Sequence, residues 1–145
     1  MAEKRAYKPR EQRLVNEWLQ TKHPNWLQWK RVRLGPLPPG KPGALYGIVR
    51  RWADAVLFDG ETIYIVEAKI RPDVGAIAQL ELYKRLFPKT PEFSMFKDRP
   101  IKLIFLTTVR DAETEALCKE KGIIYEVFRP PWIVEYWHEL LAKAK

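Results

Sequence analysis

Residues 63–72 read IYIVEAKIRP, a run of β-branched and aromatic residues of buried-strand type, yet it carries Glu67 and Lys69 two positions apart. Side chains alternate along a strand, so these two charges share a face with Ile63 and Ile65, while Tyr64, Val66, Ala68 and Ile70 point the other way. Charged groups at the end of an apolar strand are costly unless they are paired or used. A third such group, Asp54, lies in the preceding strand-like run RWADAVLF, residues 51–58, and Asp59-Gly60 between the runs signals a tight hairpin. A two-residue loop sets Asp54 opposite Ile65 and diagonal to Glu67, whereas a four-residue loop sets it directly opposite Glu67. Both put Asp54, Glu67 and Lys69 on one face, with the acidic Cβ atoms about 7 Å or about 5 Å apart. Two carboxylates at either spacing can share one hard cation at roughly 2.0–2.5 Å from oxygen. Mg²⁺ suits such a pair, with water and a substrate phosphate completing its shell. Lys69 is then within reach of an attacking water or of charge developing on the phosphoryl group.

The rest of the chain supplies elements to hold these groups. Residues 10–22 place Leu14, Val15, Trp18 and Leu19 on one helical face after a start at Pro9, and residues 26–34 alternate as a strand. Residues 35–47, with four prolines and four glycines, read as a loop. Its Gly40-Lys41 pair does not make a nucleotide-binding loop, because the prolines remove amides that would cradle phosphate. Pro72 ends the strand over 61–70, and Asp73 is placed to cap a helix over 74–87. A buried-type strand over 101–108, a short helix over 111–121 ended by Gly122, a strand over 123–128 and an amphipathic helix over 131–143 follow. This αβββαβαβα order predicts a mixed sheet flanked by helices. The last helix, containing WIVEYWHELL, could pair two protomers as a homodimer or close the core of one.

The combination resembles the PD-(D/E)xK nuclease superfamily over about residues 10–86. The family's acid on the second strand matches Asp54, and its (D/E)xK matches Glu67-Ala68-Lys69. Its Gln-x-x-x-Tyr on the following helix matches Gln79 and Tyr83, and its first-helix glutamate matches Glu11 or, second, Glu17. Where the family often has proline before the aspartate, this chain has Ala53. The resemblance implies an α/β, restriction endonuclease-like fold: an αβββαβ core with a mixed central sheet flanked by helices, plus a C-terminal helix, in one domain over residues 1–145. It implies a metal-dependent DNA phosphodiesterase, endonuclease or exonuclease, structure-selective in the manner of junction resolvase-like or phage and repair nucleases, with RNA left open as substrate. Asp54, Glu67 and the Ala68 carbonyl would bind Mg²⁺ or Mn²⁺, Lys69 would orient water, and Glu11 would support the metal shell. Gln79 and Tyr83 would brace the catalytic strand or contact DNA.

Plainer readings stand beside these. Glu67 and Lys69 could form an ion pair at a sheet end, although Asp54 would then add negative charge to the same face. Gln79 and Tyr83, one helical turn apart, could be half-buried packing. The chain could also be a non-catalytic DNA-binding or structural module that keeps the nuclease fold.

Composition narrows the classes. With 26 Lys and Arg against 18 Asp and Glu, the 145-residue chain carries a net charge of +8, which favours a polyanionic partner. Lys30, Arg31, Arg33, Arg50 and Arg51 lie on or beside the first two strands and are candidate phosphate contacts; a solvated basic face is the alternative. One serine, Ser94, and two histidines, His23 and His138, leave serine-hydrolase and histidine-rich metal chemistry without parts. The single cysteine, Cys118, excludes an internal disulfide. Together with an N-terminus lacking an apolar stretch and no membrane-length apolar run, it fits the cytoplasm of a prokaryotic cell or of its virus-infected host. Twelve prolines against two asparagines suit a thermophilic source.

Overall fold

The structure is a computed structural model that describes residues 8–37 and 50–144. Helix α1 (Pro9–Lys22) is followed by strands β1 (Leu27–Leu34), β2 (Arg51–Phe58) and β3 (Ile63–Lys69), then helix α2 (Gly75–Leu86). Two 3-10 turns, Phe87–Lys89 and Pro91–Phe96, lead to β4 (Ile101–Thr107), α3 (Ala112–Glu120), β5 (Ile123–Val127) and α4 (Pro131–Lys143). The five strands form one sheet in sequential order, antiparallel from β1 to β3 and parallel from β3 to β5. The mixed sheet between helices is the α/β architecture that the alternating pattern predicts. The Gly40-Lys41 pair falls outside the described residues.

Each face of the sheet carries its own core. On one face Ile63, Ile65 and Phe105 pack with Ala76, Leu80 and Tyr83 of α2 and with Phe87 and Phe93 of the 3-10 turns. On the other, Leu14, Val15, Trp18 and Leu19 of α1 meet Ala55, Leu57, Val66, Ile104 and Leu106. Strands β3 and β4 are covered on both sides, which explains their unbroken apolar runs. Helix α4 completes the second core: Ile133 is fully buried there, with Trp132, Tyr136 and Trp137 packed around it. Around Ile133 the helix closes this chain's own core, while Val134 and Leu141 stay exposed. Trp26 and Trp29, three apart, lie on opposite faces, Trp29 against the α2 side and Trp26 against the α1 side. Among the described residues no helix is long and apolar enough to cross a membrane.

The β2–β3 connection is the four-residue one. Strand β2 ends at Phe58 and β3 begins at Ile63, and these two residues face each other. Asp59 organises the turn, its Oδ1 accepting the amides of Glu61 at 2.9 Å and Thr62 at 2.7 Å. Gly60 takes φ 104, a value side-chain-bearing residues rarely adopt. Residues 61 and 62 thus belong to the turn, and the strand over 61–70 shortens to 63–69.

Candidate active site

The register runs from Phe58 opposite Ile63 to Ala55 opposite Val66, so the next position sets Asp54 opposite Glu67. There a side chain takes over from the backbone ladder: the Ala68 N–H donates to Asp54 Oδ2 at 2.7 Å. The Asp54 carboxylate is held beside the residue that separates Glu67 from Lys69. Asp54 is 4% exposed and Glu67 fully buried.

Strict alternation does not deliver this placement. Ala53 and Val56, three apart, both belong to the α2-side core, while Ala55 and Leu57 belong to the α1-side core. The phase of β2 therefore slips by one residue at Asp54. In β1 the slip recurs between Trp29 and Val32, again three apart and both on the α2 side. Lys30 pairs with Ala55 and Val32 with Ala53, which sets Arg31 across from Asp54. Arg31 has φ 51, the one positive value for a non-glycine among the described residues. A left-handed L-residue costs roughly 1 kcal/mol or more, so backbone strain is stored directly across from the aspartate.

Glu67 is gripped from two sides. Its Oε1 lies 3.2 Å from the Tyr83 hydroxyl, and its Oε2 lies 3.9 Å from Lys69 Nζ. The same hydroxyl donates to the Trp52 carbonyl at 2.6 Å, so one proton from α2 serves both β2 and β3. The end of β3 is anchored further by the Thr108 hydroxyl, which donates to the Ile70 carbonyl at 2.7 Å and accepts from Trp137 Nε1 at 2.7 Å. Gln79, one turn before Tyr83, is exposed at the surface. The start of α2 also differs from the expectation: Val74 is the capping residue, and Asp73 instead accepts the Gly75 amide at 2.9 Å.

Two hard carboxylates from adjacent strands, with a main-chain carbonyl at Ala68 between the acid and the lysine, match the few protein ligands that Mg²⁺ takes. Among the described residues no three His, Cys, Asp or Glu side chains are grouped to hold a metal together. Glu11 accordingly does not form a three-carboxylate cluster with Asp54 and Glu67. It lines, with Lys8, Lys69, Ile70, Arg71, Pro72, Asp73 and Tyr136, a cavity of about 440 Å³ where β3 ends. Glu17 is structural, accepting from Arg13 Nε and Trp132 Nε1, each at 2.9 Å.

The basic residues divide. Lys30, Arg31, Arg33 and Arg51 are exposed, and the guanidiniums of Arg31 and Arg33 lie 5.5 and 5.4 Å from the Trp52 ring centre. Arg50 departs from the exposed phosphate contact expected of it. Its side chain is only 9% exposed, and Nη2 donates to the Arg33 carbonyl at 3.0 Å and to Glu92 Oε1 at 2.7 Å. That hydrogen bond holds the Glu92 carboxyl below its usual range. Arg50 fastens β1 to the second 3-10 turn.

Sequence reasoning overlooked Lys8, Arg71 and Tyr136 at the cavity. Arg71 could have been found, two residues past Lys69 and just before the strand-ending Pro72; Tyr136 comes from a distant helix with no local signal.

No family model matches the chain, and no curated protein matches it in sequence. Solved structures do match in shape. A repair endonuclease from Pyrococcus abyssi superposes with a TM-score of 0.51 at 18% identity, over 90% of this chain and 50% of that one. EndoMS in its apo form gives 0.53 at 16% identity, over 88% and 49%. A protein of unknown function gives 0.52 at 12% identity, over 79% and 54%. The chain thus spans about half the length of these structures. At such identities the likeness is one of fold alone.

Proposed function

We propose that the chain is a divalent-metal-dependent DNA phosphodiesterase of the PD-(D/E)xK type. The observation that carries this reading is the hydrogen bond from the Ala68 amide to Asp54, which brings the aspartate to the Glu67-Ala68-Lys69 segment. Asp54, Glu67 and the Ala68 carbonyl would hold Mg²⁺ or Mn²⁺. When bound, such an ion polarises a phosphoryl oxygen and acidifies a coordinated water. The protein's own part is positional: the Ala68 amide fixes one oxygen of Asp54, and Tyr83 fixes one oxygen of Glu67. Lys69, whose ammonium carries three donors, orients the water or meets charge on the phosphoryl oxygens. The exposed Lys30, Arg31, Arg33 and Arg51 serve the DNA backbone, with Trp52 pre-ordering two of the guanidiniums. A fold neighbour that is a repair endonuclease supports DNA as the substrate.

The test is a panel of linear, nicked, branched and single-stranded DNA, with RNA alongside, incubated with Mg²⁺ or Mn²⁺. Cleavage should fall by about 10²-fold or more in Glu67→Ala and in Lys69→Ala, the scale of losing one electrostatic stabiliser. Undiminished cleavage in either variant refutes the assignment, and cleavage confined to RNA moves the substrate class.

A further inference from the structure

The 440 Å³ cavity has a composition that metal binding does not require. Three elements build it: Lys8 and Glu11 from the start of α1, residues 69–73 from the end of β3 and the turn beyond it, and Tyr136 from α4. Three of its lining residues are cations, Lys8, Lys69 and Arg71. Arg10, outside the lining, sets its guanidinium 4.5 Å from the Tyr136 ring centre. Of the two acids, Asp73 is committed to the Gly75 amide. Ile70, Pro72 and the Tyr136 ring supply apolar surface. The volume falls within the roughly 300–1,000 Å³ of small-ligand sites. Cations beside an apolar, aromatic wall suit a ligand with an anionic end and a flat or saturated body, which is the make-up of a nucleotide. Lys69 joins the cavity to the acids, since it lines the cavity and stands 3.9 Å from Glu67.

We infer that this cavity is a subsite for the nucleotide next to the scissile phosphate, with that nucleotide's own phosphate against Arg71 and Lys8 and its sugar and base against Pro72 and Tyr136. The inference rests on the phosphodiesterase reading, but its chemistry can be tested without cleavage. Arg71 is exposed, so Arg71→Gln leaves the fold untouched; Tyr136→Leu keeps an apolar side chain where the ring packs beside the α1-side core.

The experiment titrates a 5′-phosphorylated deoxydinucleotide, and separately inorganic phosphate, into the full chain without divalent metal, with binding followed calorimetrically. The wild type should bind the dinucleotide saturably and more tightly than phosphate. Arg71→Gln should weaken the dinucleotide about tenfold, as loss of a charged phosphate contact does. Tyr136→Leu should weaken the dinucleotide about five- to tenfold while leaving phosphate unchanged. Equal affinity for phosphate and dinucleotide, dinucleotide binding unchanged in both variants, or no saturable binding overturns the subsite. A wild type that cleaves DNA and shows any of these keeps the phosphodiesterase reading and loses the subsite alone. Binding that depends on both residues supports the subsite's chemistry, and the substrate panel then decides the cleavage reading separately.

Discussion

Replacing Lys69 with methionine tests the charge balance on which the site depends. The substitution keeps most of the aliphatic stem and removes the ammonium that stands 3.9 Å from Glu67 Oε2. At an effective dielectric constant of about 20, that contact is worth about 4 kcal/mol before desolvation is counted. Lys69 is 13% exposed and Glu67 fully buried, so solvent screens the pair only modestly. Deleting one partner of a buried pair typically costs about 3–5 kcal/mol, and the small exposure of Lys69 favours the lower end. The variant should therefore be less stable than wild type by about 3 kcal/mol without divalent metal, a drop of roughly 6–12 °C in Tm.

Magnesium should then act unequally. In the wild type a divalent ion shares the carboxylates with an ammonium that repels it, and Lys69→Met removes that repulsion. If Mg²⁺ binds with a Kd of about 1 mM, 10 mM should stabilise the folded chain by about 1.4 kcal/mol, with a larger gain in the variant. Urea unfolding of both proteins with and without 10 mM Mg²⁺, at matched ionic strength, measures all four stabilities. Glu67→Gln serves as the control that should lose the magnesium effect. The reasoning is refuted if Lys69→Met matches wild-type stability in metal-free buffer, or if magnesium stabilises wild type, Lys69→Met and Glu67→Gln alike.

Three further perturbations probe the supports of the site. Tyr83→Phe leaves the Trp52 carbonyl and Glu67 Oε1 without this donor, so stability should drop by about 1–3 kcal/mol. Because Tyr83 acts through Glu67, cleavage should slow with substrate KM unchanged; a raised KM alone would place Tyr83 against substrate. Arg31→Gly should be more stable than Arg31→Val by about 1–2 kcal/mol, because glycine adopts φ 51 without strain; equal unfolding midpoints for the two variants would show the backbone to be unstrained. The Asp59 carboxyl is held below its ordinary value of 3.8 by the amides of Thr62 and Glu61. The unfolded chain therefore binds more protons there, so this stabilisation is present above about pH 4 and is lost as pH falls through the lower folded value. Asp59→Ala should be destabilised at pH 7 and converge with wild type in acid; parallel stability curves down to pH 2 would contradict the turn's role.

What the sequence made legible followed from local rules. The apolar runs of β3 and β4, the helical faces of α1 and α4, and the Asp-Gly turn each depend on residues close together in the chain. Glu67-Ala68-Lys69 could be placed because a strand end and a following proline frame it. What escaped depends on contacts made at a distance. Arg50 and its neighbour Arg51 are indistinguishable in sequence, and only Glu92, 42 residues on, draws Arg50 inward. Gln79 and Tyr83 have the same helical phase by spacing, but Tyr83 alone finds acceptors, Trp52 and Glu67, beneath it.

The aspartate shows most clearly how a sound expectation can be reached through an incomplete premise. Alternation along β2 places Asp54 with Glu67, yet alternation fails at Asp54 itself, where Ala53 and Val56 share a core. A slip in one strand alone would throw that strand out of register with its neighbour. Here β1 slips at the facing residue, Arg31, so the pairing of Lys30 with Ala55 and of Val32 with Ala53 continues on either side. Among the described residues the strain is confined to one left-handed non-glycine residue, and the Asp54 side chain accepts from a backbone amide of β3 in place of a ladder carbonyl. A regular strand would have left the acid to project from a flat face. The paired slip instead ties it to the segment bearing the second acid and the lysine, so their relative position is set by the sheet's own hydrogen bonding, and a distortion of β1 or β3 should reach the site even where no site residue is changed.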